Sequence, residues 1–295
     1  MNSLLNGAVR LFFRAFLPGI AKSLEHEGQF DFREKSSAGI AVDPSLCIEV
    51  ENNGSDVTLI CFAGMAVLYA AMPKFEFRKT LVDCGGRYNF IWVRDVHRSL
   101  YNRAPDGSPN GFAAYTRLIG DALAGLNSTF NVMIGASGGG AAAFAFSGVL
   151  PVHQVIAFNP GFPASVFCSR ENLRRVLFDV KKLLFTPLDY FEVLLVTVGG
   201  LYLWRHVCRV IGPENVPDAF EHYLSKQWSA RAAVFYSTRA WPDTRQALSL
   251  KGIPGITLRP VDCGRHNCMA ELKRRGEFGA VIHREILDGL NARKP

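Results

Sequence analysis

No two of the seven cysteines, at positions 47, 61, 84, 168, 208, 263 and 268, stand in C-x-x-C spacing. The odd count argues against a closed disulfide framework, and the missing spacing argues against a zinc site or redox pair, so reduced cytoplasmic thiols are expected. Cys263 and Cys268 flank His266, but small buried thiols beside a strand end are the commoner arrangement. The chain also lacks an uninterrupted apolar run of the roughly 18 residues that mark a membrane span. Its richest stretch, Tyr190 to Trp204, is interrupted by Glu192 and by the pair Gly199-Gly200. Internal repeats and low-complexity tracts are missing, which sets aside solenoids and disordered tails. There is no long basic tract either. A formal charge of +7 is spread over short groups such as Arg174-Arg175, Lys181-Lys182 and Lys273-Arg274-Arg275, without the aromatic interleaving of a nucleic-acid groove. Nucleic acid is therefore not an expected partner, while an anionic surface such as a membrane leaflet is compatible with the charge.

What is present is a chain of 295 residues, 48% of them hydrophobic, enough for one sizeable α/β domain with an insertion. Residues 1–27 read as a separate amphipathic helix. Leu5, Val9, Phe12, Phe13, Phe16 and Leu17 line one side, Ser3, Asn6, Arg10 and Arg14 the other, and Pro18-Gly19 ends the pattern. Arg10 and Arg14 interrupt the apolar part, and no small-residue cleavage site follows, which argues against a signal peptide. Such a helix would pack on its own domain, on the mate in a homodimer, or on a membrane surface, giving a cytoplasmic protein with a peripheral contact to the inner membrane in the last case.

Residues 28–62 carry strand-like runs, including Leu46 to Val50 and Val57 to Phe62, and the turn Asn52-Asn53-Gly54-Ser55 between them predicts an antiparallel hairpin. The rhythm then alternates. Strands are predicted at Phe90 to Val93, Val132 to Ile134 and Val155 to Phe158, with helices at Phe112 to Leu126 and Ala141 to Val149 between them. Such alternation implies a parallel sheet whose functional loops gather at the strands' carboxyl ends. Residues 161–229 shift to helical periodicity and read as an inserted helical lid or cap, with two readings open: a cover over an apolar-substrate site, or a stabilising cap. Alternation resumes with strands at Ala232 to Ser237 and Ile256 to Val261 and helices at Thr244 to Leu250 and Phe278 to Leu290. The core is thus expected over 28–160 and 230–295.

Gly135-Ala136-Ser137-Gly138-Gly139 follows the apolar run Val132-Met133-Ile134, a serine between glycines at a strand-to-helix turn. Glycine is needed where backbones approach closely and dihedrals are unusual. A serine hydroxyl is a poor nucleophile without a base, and the base works best when an acid fixes its tautomer. Asp243 and His266 each stand just past a later predicted strand. Asp262 shares a strand with the approach to His266 and cannot readily reach round to its ring, while Glu214 and Asp218 lie in the insertion. His153, His206, His222 and His283 read as surface or insertion histidines.

The order Ser137, Asp243, His266, each beyond a strand's carboxyl end, resembles the α/β-hydrolase fold over roughly residues 45 to 290. The resemblance implies a mostly parallel central sheet with flanking helices, and a Ser-His-Asp triad cleaving a carboxylic ester or thioester through an acyl-enzyme, without metal or organic cofactor. It also implies an oxyanion hole from Gly138 and a residue of the loop Ala63, Gly64 or Met65. An acyltransferase would use the same triad, and a non-catalytic docking protein could keep the same fold. Arg94, His97 and Arg98, after the strand Phe90 to Val93, would contact substrate, or Asp95 with Arg98 would brace the nucleophile turn. The stretch from Leu59 to Gly161, with Cys61-Phe62-Ala63-Gly64, Met72 to Phe77, Arg94-Asp95, Arg98 to Tyr101 and Gly135 to Gly139, also resembles hydrolase-like proteins found among bacterial surface-polysaccharide genes, which implies an acyl ester on a sugar, beside the open alternatives of a lipid or small-molecule acyl ester.

Overall fold

A computed structural model describes residues 46–64, 75–81, 88–97, 99–161, 168–212 and 230–292, with isolated positions 11, 14, 15, 166, 223 and 224. The N-terminal helix expected over 1–27, apart from positions 11, 14 and 15, and the residues Met65 and Arg98 lie outside the described residues.

The strands are β1 (Ile48–Glu51), β2 (Val57–Phe62), β3 (Asn89–Val93), β4 (Phe130–Ala136), β5 (Gln154–Phe158), β6 (Arg231–Ser237) and β7 (Ile256–Val261). They form one sheet in the order β1-β3-β2-β4-β5-β6-β7. Every pairing is parallel except that of β1 with β3. This mostly parallel, crossed-over sheet with helices on both faces is the α/β-hydrolase fold. Strands β3, β4 and β5 are buried along their whole length, as expected where helices cover both faces.

The predicted hairpin is corrected. β1 does not pair with β2; it pairs antiparallel with β3, Ile48 opposite Val93, and β2 lies between β3 and β4. The physical reason is burial. Val57-Thr58-Leu59-Ile60-Cys61-Phe62 has no solvent-facing alternation, so it is stable only with a strand on each side. The Asn52–Ser55 turn serves β3 instead: Asn53 Nδ2 donates to Tyr88 O at 2.8 Å, and Asn53 N donates to Asn89 Oδ1 at 2.8 Å.

Helices α2 (Gly111–Leu126) and α3 (Gly138–Ser147) cover one face through Tyr115, Ile119, Leu123, Ala143, Phe144 and Phe146; α1 (Arg78–Leu81) is a single turn ahead of β3. Between β5 and β6 lie α4 (Arg170–Leu177), α5 (Val180–Phe185) and α6 (Pro187–Ile211). The pair Gly199-Gly200 does not break α6, which runs through both, because a glycine costs a helix only about 1 kcal/mol. After β6 come α7 (Trp241–Ser249) and, after β7, α8 (Cys268–Arg274) and α9 (Phe278–Asn291). The last two close the opposite face with Met269, Leu272, Phe278, Val281, Ile282 and Ile286. A polar link fastens α9 to the sheet centre: Gln154 Nε2 donates to Glu285 O at 2.8 Å.

Candidate active site

Ser137 sits between the last residue of β4 and the first of α3, with φ 51° and ψ −121°. That backbone is costly for any residue with a Cβ, by about 1–3 kcal/mol, so it persists only where the surroundings enforce it. They do so through hydrogen bonds: Ser137 N donates to Phe158 O at 2.9 Å, and Ser137 O accepts from Gly161 N at 3.1 Å and Ala141 N at 3.2 Å. The flanking glycines are needed for approach rather than for dihedral freedom. A Cβ on Gly135 would lie 2.1 Å from Gly139 O, and one on Gly139 would lie 2.5 Å from Phe62 O. The turn therefore presses helix, nucleophile strand and β2 together.

Two partners meet the serine. His266 Nε2 lies 3.0 Å from Ser137 Oγ, and His266 Nδ1 lies 2.8 Å from Asp243 Oδ1. Asp243 is not in a loop but in the first turn of α7, fully enclosed, with Oδ2 lacking a hydrogen-bond partner among the described residues. Burial pushes its carboxyl up, opposed by His266 and Lys182. Burial works against a charged His266, yet the Asp243 carboxylate, its hydrogen bond and Glu192 outweigh burial and hold the imidazole above its usual value. An Nδ1–H donated to Asp243 leaves Nε2 as the acceptor facing the hydroxyl, the tautomer a base requires.

The histidine is held by residues that the sequence did not single out. Asn159, at φ 41° just past β5, donates from Nδ2 to His266 O and to Ser237 Oγ, and its Oδ1 accepts from Ser237 N at 2.9 Å. Cys268 N also donates to His266 O, at 3.0 Å. From the insertion, Glu192 Oε1 accepts from Asn267 N at 3.1 Å, Asp189 Oδ1 pairs with Arg265 Nε at 3.0 Å, and Lys182 Nζ donates to Gly264 O at 2.6 Å. A polar residue at the carboxyl end of β5 was the only available signal for Asn159; nothing local marks the three insertion residues.

Gly138, the first residue of α3, puts its N–H at a helix N-terminus with no acidic side chain in the first turn, a favourable place for developing negative charge. The loop after β2 is arranged differently from the expectation. Ala63 N donates to Val93 O at 2.8 Å, extending the ladder, and Gly64 N donates to Glu76 Oε2 at 2.6 Å. Both hydrogens are committed, so neither residue offers a donor to the serine in this conformation. Burial raises the Glu76 carboxyl, with the Gly64 N–H and Lys273 opposing.

Arg94 is also turned away from the expected substrate contact. It is buried, its Nε donates to Leu46 O at 2.5 Å, and its guanidinium stacks over the Phe75 ring at 4.5 Å. His97 is exposed, and its Nε2 meets Pro105 O at 3.0 Å. The described contacts of this loop are to itself and to β2: Asp95 accepts from the N–H groups of His97, Ser99 and Tyr101, and Tyr101 OH donates to Ala63 O at 2.9 Å, tying the loop to the end of β2. Leu100 and Tyr101, at φ 57° and 64°, carry the strain of that wrap. Among the described residues no three His, Cys, Asp or Glu side chains converge as a metal site would require.

Strand order and the placement of Ser137, Asp243 and His266 beyond β4, β6 and β7 define the chain as one with the α/β-hydrolase fold. No protein-family description and no curated protein sequence matches it. Similarity is to solved structures. A protein of unknown function from Staphylococcus aureus superposes with a TM-score of 0.53 at 12% identity, over 88% of this chain and 98% of that one. The Gap123 glycosylation-associated protein complex of Streptococcus agalactiae gives a TM-score of 0.48 at 17% identity over 86% of this chain, which spans only 46% of that chain's length. The capsule O-acetyltransferase of Neisseria meningitidis serogroup A gives 0.43 at 16% identity, over 86% of this chain and 98% of that one.

Proposed function

We propose that the chain is a serine hydrolase of carboxylic esters, acting through an acyl-enzyme on Ser137. The observation that carries the proposal is the continuous line Ser137 Oγ, His266, Asp243, closed by contacts of 3.0 and 2.8 Å at the carboxyl rim of the sheet. In it, His266 Nε2 takes the hydroxyl proton as Oγ attacks the acyl carbon, and Asp243 steadies the resulting imidazolium. The carbonyl oxygen gains its negative charge beside Gly138 N–H. The C–O bond to the leaving group then breaks, and His266 returns the proton to the departing alkoxide. Water repeats the sequence on the acyl-enzyme, releasing acid and restoring the hydroxyl.

The six described cysteines are all free, which supports a reducing, cytoplasmic compartment. Residues 161–229 we read as a cap on the core, since Lys182, Asp189 and Glu192 reach from it to the histidine loop. A fluorophosphonate probe tests the reading: it should label the folded protein and fail to label Ser137→Ala. Lack of labelling in a folded wild-type sample refutes the enzyme. Acetyl-sugar esters and long-chain lipid esters, compared as substrates of the unlabelled wild-type protein with Ser137→Ala as the blank, then separate the glycan ester implied by resemblance from an acyl lipid.

A further inference from the structure

The segment from the end of α4 to the start of α6 has its polarity turned inside out. Three of its charged side chains reach the body of the protein: Lys182 Nζ bonds to Gly264 O and Arg239 O, Asp189 to Arg265, and Glu192 to Asn267 N. Its apolar side chains face outward, Phe178 at 79% exposure, Leu184 at 69% and Phe185 at 81%, with Leu177, Val180 and Leu188 beside them. No residue of α5 is buried. Scattered exposed leucines are ordinary on a soluble protein, but two phenylalanines and four aliphatic side chains on one short segment are a contiguous patch that needs a partner.

We propose that this outer face of α4–α6 docks on an anionic lipid surface. Charge selects that occupant. Arg170 and Arg174 on α4 and Lys181 on α5 are exposed, while Arg175 stacks over the Trp241 ring at 4.4 Å. The acidic residues among them are already used: Glu171 pairs with Arg245 at 2.8 Å, and Asp179 caps the Lys182 N–H at 3.0 Å. Exposed cations on the same helices as exposed apolar side chains match the interface of an anionic bilayer, where apolar side chains enter the headgroup boundary and Lys or Arg remain at the phosphates. The N-terminal segment fits less well as a cover, because Arg10, Arg14 and Lys22 precede its first acid, Glu25, and would set like charges together. A two-fold contact with a second copy has the same fault, bringing Arg170, Arg174 and Lys181 towards their own equivalents.

One described helix, α6, is long and apolar enough to cross a membrane by length and composition, but its first turns are tied to the histidine loop by Asp189 and Glu192. Lying on the surface satisfies both facts. The docking does not depend on ester chemistry, so Ser137→Ala should bind lipid like the wild type.

Co-sedimentation of the full chain with phosphatidylcholine vesicles, with and without about one-third phosphatidylglycerol, tests the proposal. Binding is expected to the anionic vesicles, to weaken with added salt, and to fall about tenfold or more in a Phe178→Ser, Leu184→Ser, Phe185→Ser variant. Because these side chains are exposed, the variant's melting temperature should stay within about 2 °C of the wild type, which separates lost docking from misfolding. No binding by the wild type overturns the proposal, and so does a variant that binds as the wild type does or equal binding to pure phosphatidylcholine. A variant that loses self-association, with neither protein binding vesicles, assigns the face to a second copy and also overturns it.

Discussion

Replacing Gly135 by alanine isolates the packing that creates the nucleophile turn from the chemistry it serves. The new Cβ would sit 2.1 Å from Gly139 O, 2.3 Å from Gly139 C and 2.6 Å from Gly140 N, all backbone atoms of the first turn of α3. Relaxed carbon contacts need about 3.5 Å, so the helix must retreat from β4 by more than about 1 Å. Overpacking of this kind costs about 1–3 kcal/mol. In a chain of this size each 1 kcal/mol lowers the melting temperature by about 2–4 °C, which gives a fall of roughly 2–12 °C. The same retreat moves Ser137 on its strained backbone, and 1 Å is enough to undo the 3.0 Å contact with His266 Nε2. Thermal unfolding and the rate of fluorophosphonate labelling, measured on the same sample, should both fall. Gly125→Ala is the control: this exposed helical glycine has nothing within 4 Å of its would-be Cβ, so alanine should raise stability by about 0.5–1 kcal/mol and leave labelling alone. A Gly135→Ala protein that melts with the wild type and labels at the wild-type rate would refute the packing argument.

Ser137→Gly removes a side chain from a strained φ and should stabilise the fold by about 1 kcal/mol while abolishing labelling, read by melting temperature and probe incorporation. In the proposed mechanism labelling requires neutral His266, whose value is held up by Asp243 and Glu192 against burial; the labelling rate should therefore rise with pH through a midpoint above the ordinary histidine value. Glu192→Gln should shift that midpoint to lower pH, and an unchanged midpoint rules out the electrostatic link. Asp243→Asn should shift it down too and slow labelling by about 10³–10⁴-fold through loss of the correct tautomer. Linkage gives a sign to stability as well. The histidine pair favours the fold fully below the unfolded histidine pKa, and this contribution is lost as pH rises through the raised folded value, so the stability difference between wild type and His266→Gln should shrink as pH increases. Urea titrations of both proteins at several pH values measure it. Tyr101→Phe loses the hydroxyl donated to Ala63 O and should cost about 1 kcal/mol in the same titrations.

The central strands were legible because their residues are apolar with little alternation, a direct trace of burial on two faces, and β4 extends by two residues at each end of its expected span; the partly exposed edge strand β7 agrees with its expected bounds to the residue through its β-branched residues Ile256, Thr257 and Val261. The pairing of β1 was not legible, since a turn between two strand-like runs favours a hairpin locally and only the demand of β2 for two neighbours overrides it. Ser137, Asp243 and His266 could be placed because each follows a strand that carries it to one rim. What holds them could not. Asn159 acts across 107 residues and Glu192 across 75, separations at which a single sequence carries no pairing signal. Arg94 misled for the opposite reason: a charged residue at a rim reads as solvent-facing, but here its long side chain satisfies Leu46 O and stacks on Phe75 inside the protein.

The loop after β2 shows how buried carboxylates organise the rim on both sides of Ser137. Asp95 gathers three backbone N–H groups, and through Tyr101 its loop fixes Ala63 O. Glu76 takes Gly64 N–H at 2.6 Å, and a Cβ on Gly64 would lie 3.1 Å from both Glu76 Oε2 and Ala136 O, so Gly64 is wedged between the carboxyl and the nucleophile strand. A side-chain oxygen bound to Gly64 N–H keeps that amide from any negative charge forming at Ser137, and burial pushes the Glu76 carboxyl up towards its neutral form. In the proposed mechanism the lost donor, and any charge the carboxyl keeps, work against an oxyanion. The proposed mechanism is thereby left with Gly138 N–H, at the N-terminus of α3 with no acidic residue in its first turn, as the described donor for an oxyanion. Glu76→Gln keeps an oxygen acceptor for Gly64 N–H but removes the charge, so it should leave stability nearly unchanged and raise the labelling rate. A slower rate would mean that the carboxylate's role in holding the loop outweighs its electrostatic opposition.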